Sequence, residues 1–333
     1  MSTSAPSRVQ QSYRHEAFLW YGPDDFVRGL LPFVHEGLDA GEAVMVATVP
    51  AHISWLASGL GARAAEVHFV DMSVLGRNPA RIIPAWLRFL QAHAGIGRPA
   101  RGIGEPIWPG RRPEEVAECQ LHEALLNLAV DPQLPFWLVC PYDADVLDDD
   151  VVAEAYRSHP AIATTNSYAG SRTYRGRDHA RALFSAELPD PAGQPTTVTV
   201  SPRGLTAAAE QVTLRAAAAD LGSHQVVALA DAVRRLAVQS RHRGADQIRL
   251  RLWDDVDGFV CELADHTVIP DLLVGRHLPQ EGDTDPLWCA HQVCDLVQVR
   301  SAESGTTIRL HLRPERPADG PRASHRTTVS PAH

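Results

Sequence analysis

The sequence predicts an α/β domain built on a mostly parallel sheet, followed by a smaller α+β domain. Three observations predict it. Short apolar runs alternate with helical periodicity from about Glu16 to Tyr168. A stretch rich in Pro, Thr, Ser and Gly follows at 185–204. Beyond it two helices stand together ahead of hairpins, so the strand–helix alternation has ended. A chain of 333 residues that is 44% apolar can bury more than one core.

The elements justify themselves in order. "EAFLWY" is an apolar, aromatic strand, and "DDFVRGLLPFVHEGLDAG" has helical spacing with an aspartate start and a glycine stop. "EAVMVATV" is a continuous buried-strand run. A helix from Pro50 to Leu60, the strand "VHFVDM", the helix "PARIIPAWLRFLQAHAG", the strand-like "ARGIGEPI", a helix from Pro113 to Val130 and the strand "FWLVCPYD" complete the alternation. Apolar strands separated by helices imply βαβ crossovers and a sheet covered on both faces. The acidic "DADVLDDD" (143–150) reads as a helix-capping, solvated run, with attraction of a cation as the alternative. Residues 12–184 are thus expected to form the first domain and 185–204 a linker. In 205–313 two helices, "LTAAAEQVTLRAAAADLG" and "SHQVVALADAVRRLAVQSRHRG", precede the hairpin "QIRLRLWDDVDGFVCELAD", a short helix near "LWCAHQVCDLV" and the hairpin "VQVRSAESGTTIRLHLR". The tail, 314–333, is charged, contains prolines and is expected to be disordered.

Composition excludes several functions. The formal charge is −9, which disfavours nucleic-acid binding as the main role. All 31 basic residues are arginine, so neither a Walker A loop nor Schiff-base chemistry has the lysine it needs. Five cysteines inside mostly apolar runs read as reduced, buried thiols, and no apolar run reaches the roughly 18 residues of a membrane span. These features predict a soluble, cytosolic protein without membrane association. "GIGRPARGIGEP" lacks the G-x-G-x-x-G order at a strand-to-helix turn, which rejects a dinucleotide site.

The block "FVCELADHTVIPDLLVGRHLP … LWCAHQVCDLVQVRSAESGTTIRLHLRP" resembles the ATP-binding domain of serine-kinase-type anti-sigma factors, a branch of the GHKL (histidine-kinase-like, Bergerat-type) ATPases. In that family one helix carries N-E-x-x-x-N-S, closely followed by His-Gly. The glutamate activates a hydroxyl or water and the second asparagine holds Mg²⁺. At those places stand Arg234, Arg235, Gln239 and Arg243-Gly244, and an arginine cannot act as a base. The family's D-x-G, whose aspartate bonds adenine, is here Asp265-His266-Thr267. Its G-x-G before Leu-Trp is replaced by Asp283, Asp285 and Pro286. The resemblance therefore implies a GHKL sandwich in which Arg235, Gln239, Asp265, Thr267 and Pro286 are remnants of a nucleotide site. Leu236, Ala237, Leu263, Leu287, Trp288, Val293 and Leu296 are its packing positions. The alternative for "RRLAVQSRHRG" is an amphipathic helix with a solvated basic face.

The first half resembles the MEDS sensory domain, a RecA-like α/β module of methanogen and methylotroph regulators that is often fused to anti-sigma-type ATPase domains in actinobacteria. The resemblance rests on "RHEAFLWYGPDDFVRGLLPFVHEGLDAGEAVMVAT", "RGIGEPIWPGRRPEEVAECQLHEALLN" and "LVCPYDADVLDDDVVAEAYRSHP" in that order, and it implies ligand sensing rather than catalysis. Parallel sheets place ligands at strand C-terminal ends. His15, Trp20, Tyr21, Glu105, Trp108, Tyr142 and Asp143 are the candidate ligand contacts there, next to Gly104, with core or rim packing as the competing role of each. A metal or haem site at Glu115, Cys119 and His122, which share one helix face at i, i+4 and i+7, is a second possibility, weakened by the chance pairings that 16 histidines allow.

The leading expectation is a regulator with a MEDS-like input for a small molecule and a degenerate kinase-like output, needing no cofactor. Its partner, by family, is a sigma factor or an anti-sigma antagonist, and such relatives often form homodimers. The alternatives are an active serine kinase using ATP and Mg²⁺, or a scaffold that senses nothing.

Overall fold

A computed structural model describes residues 12–94, 97–191, 193–201, 204–280, 282 and 285–315. The tail expected to be disordered lies, from residue 316 on, outside them, as does Asp283.

The first unit runs β1 (Arg14–Trp20), α1 (Pro23–Asp39), β2 (Ala43–Thr48), α2 (Pro50–Leu60), a 3-10 segment (Gly61–Glu66), β3 (His68–Asp71), α3 (Met72–Leu75), a 3-10 turn (Pro79–Arg81), α4 (Ile82–Ala94), β4 (Ala100–Gly104), α5 (Pro113–Ala129), β5 (Phe136–Asp143), α6 (Asp149–Ser158), β6 (Ala161–Ala163), β7 (Tyr168–Gly170) and α7 (Gly176–Ser185). The strands form one sheet in the order β3-β2-β4-β5-β1-β6-β7. Every neighbouring pair is parallel except β6 with β7. The acidic run opens α6, with Asp148 at the N-cap and Asp149 and Asp150 in its first turn, where carboxylates oppose the helix dipole.

Because successive strand residues face opposite ways, the sheet divides its side chains between two layers. Phe18, Trp20, Val44, Val46, Ile103 and Val139 pack against Phe26, Leu30 and Val34 of α1 and Leu56 of α2. Ala17, Leu19, Met45, Leu138, Cys140 and Tyr142 face the other way, toward Trp86 of α4 and Leu121 and Leu125 of α5. Gly102 allows one close approach, since a Cβ there would lie 2.7 Å from the Trp86 ring.

The second unit comprises β8 (Thr196–Val200), α8 (Leu205–Ala218), α9 (Ser223–His242), β9 (Ile248–Asp255), β10 (Gly258–Asp265), α10 (Pro286–Val293), β11 (Leu296–Ala302) and β12 (Gly305–Leu312). Its sheet, β11-β12-β10-β9-β8, is antiparallel throughout and separate from the first. The 185–204 segment is therefore not all connection. Its "TTVTV" pairs with β9 as an edge strand, as β-branched residues favour. Of the expected packing positions, Leu236, Ala237, Leu263, Leu287 and Leu296 are buried, Trp288 is half-buried and Val293 is exposed at the end of α10.

The two units share one hydrophobic cluster, which continues from Trp86 and Leu125 to Leu236, Leu263 and Leu310. Polar contacts join them too. Arg81 donates to the carbonyls of His291 (2.6 Å), Gln292 (3.1 Å) and Cys294 (3.1 Å), satisfying acceptors that the end of α10 leaves open. On α5, Glu118 is ion-paired with Arg300 at 2.6 Å and with the fully buried Arg276 at 3.5 Å, and Glu115 pairs with Arg313.

Candidate functional site

Four elements converge below the α5 face of the first sheet. β1 contributes His15, α5 contributes Glu123, β5 contributes Cys140, and His159 follows the last residue of α6. All four side chains are buried, and one donor atom from each lies within 4.8 Å of the others. His15 Nε2 is 3.0 Å from Glu123 Oε2 and 3.3 Å from Cys140 Sγ. Cys140 Sγ is 3.4 Å from the same Glu123 oxygen, and His159 Nε2 is 3.3 Å from it.

The outer nitrogens of both imidazoles are committed elsewhere. His159 Nδ1 is 2.9 Å from the Ala155 carbonyl, which can only accept. His15 Nδ1 is 3.1 Å from Asn127 Oδ1, and Asn127 turns its amide nitrogen to the carbonyls of Ser158 (2.8 Å) and Glu123 (3.2 Å). Each ring therefore carries a proton on Nδ1, and when neutral it directs the Nε2 lone pair at Glu123. Burial lowers the His15 pKa. Burial would raise that of Glu123, but the two imidazoles set against it outweigh burial and hold the carboxyl below its usual range. Burial and then the Glu123 charge push the Cys140 thiol well above its ordinary value. Tyr13 stacks on His15, and Tyr142 meets His159 edge-on.

A second feature lies at the strand C-terminal ends, on the α1/α2 side. Trp20, Trp55 and Trp108, with His52, Val49, Val146 and Asp143, line a shallow pocket of about 510 Å³. Below it His52 Nδ1 is 2.7 Å from Glu105 Oε2, and burial raises the Glu105 carboxyl despite that contact. Among the described residues, the buried indole N–H of Trp20 has no hydrogen-bond partner.

The expected ligand residues are thus divided. Trp20, Trp108 and Asp143 line the pocket, Glu105 supports it and Tyr21 is exposed at its edge. His15 and Tyr142 do not belong to it. His15 sits at the opposite end of β1 from Trp20, and Tyr142, adjacent to Asp143, points through the other face of the sheet. The triad Glu115, Cys119 and His122 is not brought together either. Seven residues of helix span roughly 10 Å of axis, too far for one ion. Glu115 pairs with Arg313, and the Cys119 thiol donates to the Pro106 carbonyl at 3.2 Å. Glu123, one residue beyond His122, reaches the cluster instead. Glu123 and Cys140 lie 108 and 125 residues from His15, so no local spacing could link them. The legible signal was weaker: titratable residues inside otherwise apolar runs.

Residues 14–160 match the family MEDS, the MEthanogen/methylotroph, DcmR Sensory domain. No curated protein matches the chain. The MEDS match begins with the first residue of β1 and ends one residue after His159, so it contains the whole cluster and the whole strand-end pocket. A sensory domain over this span points to a role in sensing or signalling. Among the described residues, no helix is long and apolar enough to cross a membrane.

Outside the MEDS match, the polar side chains among the expected nucleotide remnants are hydrogen-bonded within the chain. Asp265 accepts hydrogen bonds from Ser240 Oγ (2.6 Å), the Thr267 amide (2.7 Å), the Thr267 hydroxyl and Arg243 Nη2 (3.3 Å). Arg235 Nε bonds Asp231 on its own helix at 2.6 Å. Gln239 Nε2 is 3.5 Å from Asp285, which caps α10 ahead of Pro286 by accepting from the Leu287 amide at 3.0 Å.

Proposed function

We propose that the chain is a signalling regulator in which the MEDS domain is the input. Residues 205–313 form the output, a degenerate GHKL domain of anti-sigma type that binds a protein partner instead of turning over ATP. The chemistry of that family makes a sigma factor or an anti-sigma antagonist the partner. The observation that carries the reading is the saturation of Asp265. A carboxylate has about four lone-pair directions, and four donors of the chain already occupy them. An adenine amino group would have to displace Ser240, Thr267 or Arg243. At the other remnants an arginine stands where a base is required, and Pro286 offers no N–H to a phosphate.

For the input, the strand-end pocket fits a small, partly apolar ligand. Three tryptophans supply the apolar walls, and the unpaired Trp20 N–H supplies a donor for a hydrogen-bond acceptor.

Calorimetric titration of the full chain with ATP and Mg²⁺ tests the output. No binding heat is expected at millimolar nucleotide. A saturating isotherm, or transfer of label from ATP to a serine of a partner protein, would instead make this an active kinase.

A further inference from the structure

We propose that His15, Glu123, Cys140 and His159 form a closed, four-coordinate site for a divalent cation of the zinc class. The ligands are His15 Nε2, His159 Nε2, the Cys140 thiolate and Glu123 Oε2. Four of the six separations between these atoms are 3.0, 3.3, 3.3 and 3.4 Å, and none exceeds 4.8 Å. A tetrahedral shell with bonds of about 2.0 to 2.3 Å has edges of roughly 3.3 to 3.8 Å, so little movement seats an ion at the centre.

Each imidazole donates its Nδ1 proton outward, to a carbonyl or to the Asn127 amide oxygen, so each ring in its neutral form presents an Nε2 lone pair to a carboxylate that also only accepts. Lone pairs facing one another in a buried space repel unless a cation lies between them. Among the described residues, His159 Nε2 has no hydrogen-bond partner, and neither does the second oxygen of Glu123. The outward bonds are also those that hold metal-ligating histidines in orientation, here Ala155 for one ring and Asn127 for the other.

A divalent ion with one thiolate, one carboxylate and two neutral imidazoles sums to zero, as a fully buried position requires. Nitrogen, sulfur and oxygen donors in a compact tetrahedron suit Zn²⁺, and four protein ligands leave no open position for substrate, so the site is structural or sensory rather than catalytic. Binding involves no redox change. The ion forms a bond to Cys140 Sγ, the S–H bond breaks, and one proton leaves to solvent.

The test uses the full chain, unfolded in denaturant with reductant and refolded with Co²⁺ or Zn²⁺, because the buried site is filled most readily as the chain folds. The expected result is about one metal per chain, with a sulfur-to-cobalt charge-transfer band and the visible bands of tetrahedral Co²⁺. Cys140→Ser should abolish the charge-transfer band. Asn127→Ala should keep it but weaken affinity by about 10- to 100-fold, as loss of an orienting partner does. Refolding of the wild-type chain with no metal uptake would overturn the proposal, leaving a proton-bridged His–Glu cluster. So would bands that persist in Cys140→Ser. Wild-type uptake alone can decide the matter, so misfolding of a variant does not rescue it. ATP titration and ligand binding at the strand-end pocket are read separately, so either reading can fail without the other.

Discussion

His291 and His311 are buried among arginines. Burial, followed by the charges of Arg309, Arg112 and Arg313, pushes His311 down to about 3. Burial, Arg276 and Arg81 hold His291 well below its ordinary 6.5. Both rings are therefore neutral in the folded chain at pH values where they would be protonated in the unfolded one. Between about pH 6.5 and pH 3 the unfolded state binds more protons, so stability falls as the solution is acidified through that window. Each such histidine contributes up to about 1.4 kcal/mol per pH unit. Urea unfolding measured from pH 7 to pH 4 should show this decline, and His311→Gln should make it shallower by about one proton. An unchanged slope in that variant would contradict the assignment. Neither shift was visible in the sequence, because its largest cause is the burial of each ring, which only the tertiary packing decides.

At the scale of elements, α5 occupies the central place. Its first half carries Glu115 and Glu118 into the second unit, and its second half carries Glu123 and Asn127 into the buried cluster. Its existence and length were readable from helical spacing and Pro113, but its charged residues were not assignable, because periodicity cannot say which carboxylate meets an arginine or a histidine. The edge strand β8 was hidden for a related reason. "TTVTV" has one buried residue, Val200, and becomes a strand by pairing with β9. β4 gives a direct test of packing. Gly102→Ala places a methyl within 2.7 Å of Trp86 and should cost about 1 to 3 kcal/mol of unfolding free energy in denaturant titrations. A neutral effect would mean that Trp86 can move aside.

At the scale of the whole molecule, the two sheets share a continuous apolar cluster and a buried ionic joint. Calorimetry of the full chain should therefore show one unfolding transition, and two resolved transitions would contradict a shared core. Glu118→Gln leaves Arg276 and Arg300 buried without their carboxylate, which should destabilise the chain by about 3 to 5 kcal/mol. The loss should appear as a lower midpoint of the same single transition. One helix, α5, thus carries both this joint and a residue of the buried cluster.

The alternation of apolar runs with helical spacing determined the parallel sheet, its two covered faces and the change of architecture after it, because burial on two sides leaves its period in the chain. The order of blocks along 14–160 likewise carried the sensory assignment. Only the tertiary structure decided which side chains meet. It sent His15 and Trp20, five residues apart on one strand, to opposite ends and opposite faces, and it gathered His15, Glu123, Cys140 and His159 from four elements. Composition and periodicity record what is buried, whereas a site depends on which distant segments are buried against one another.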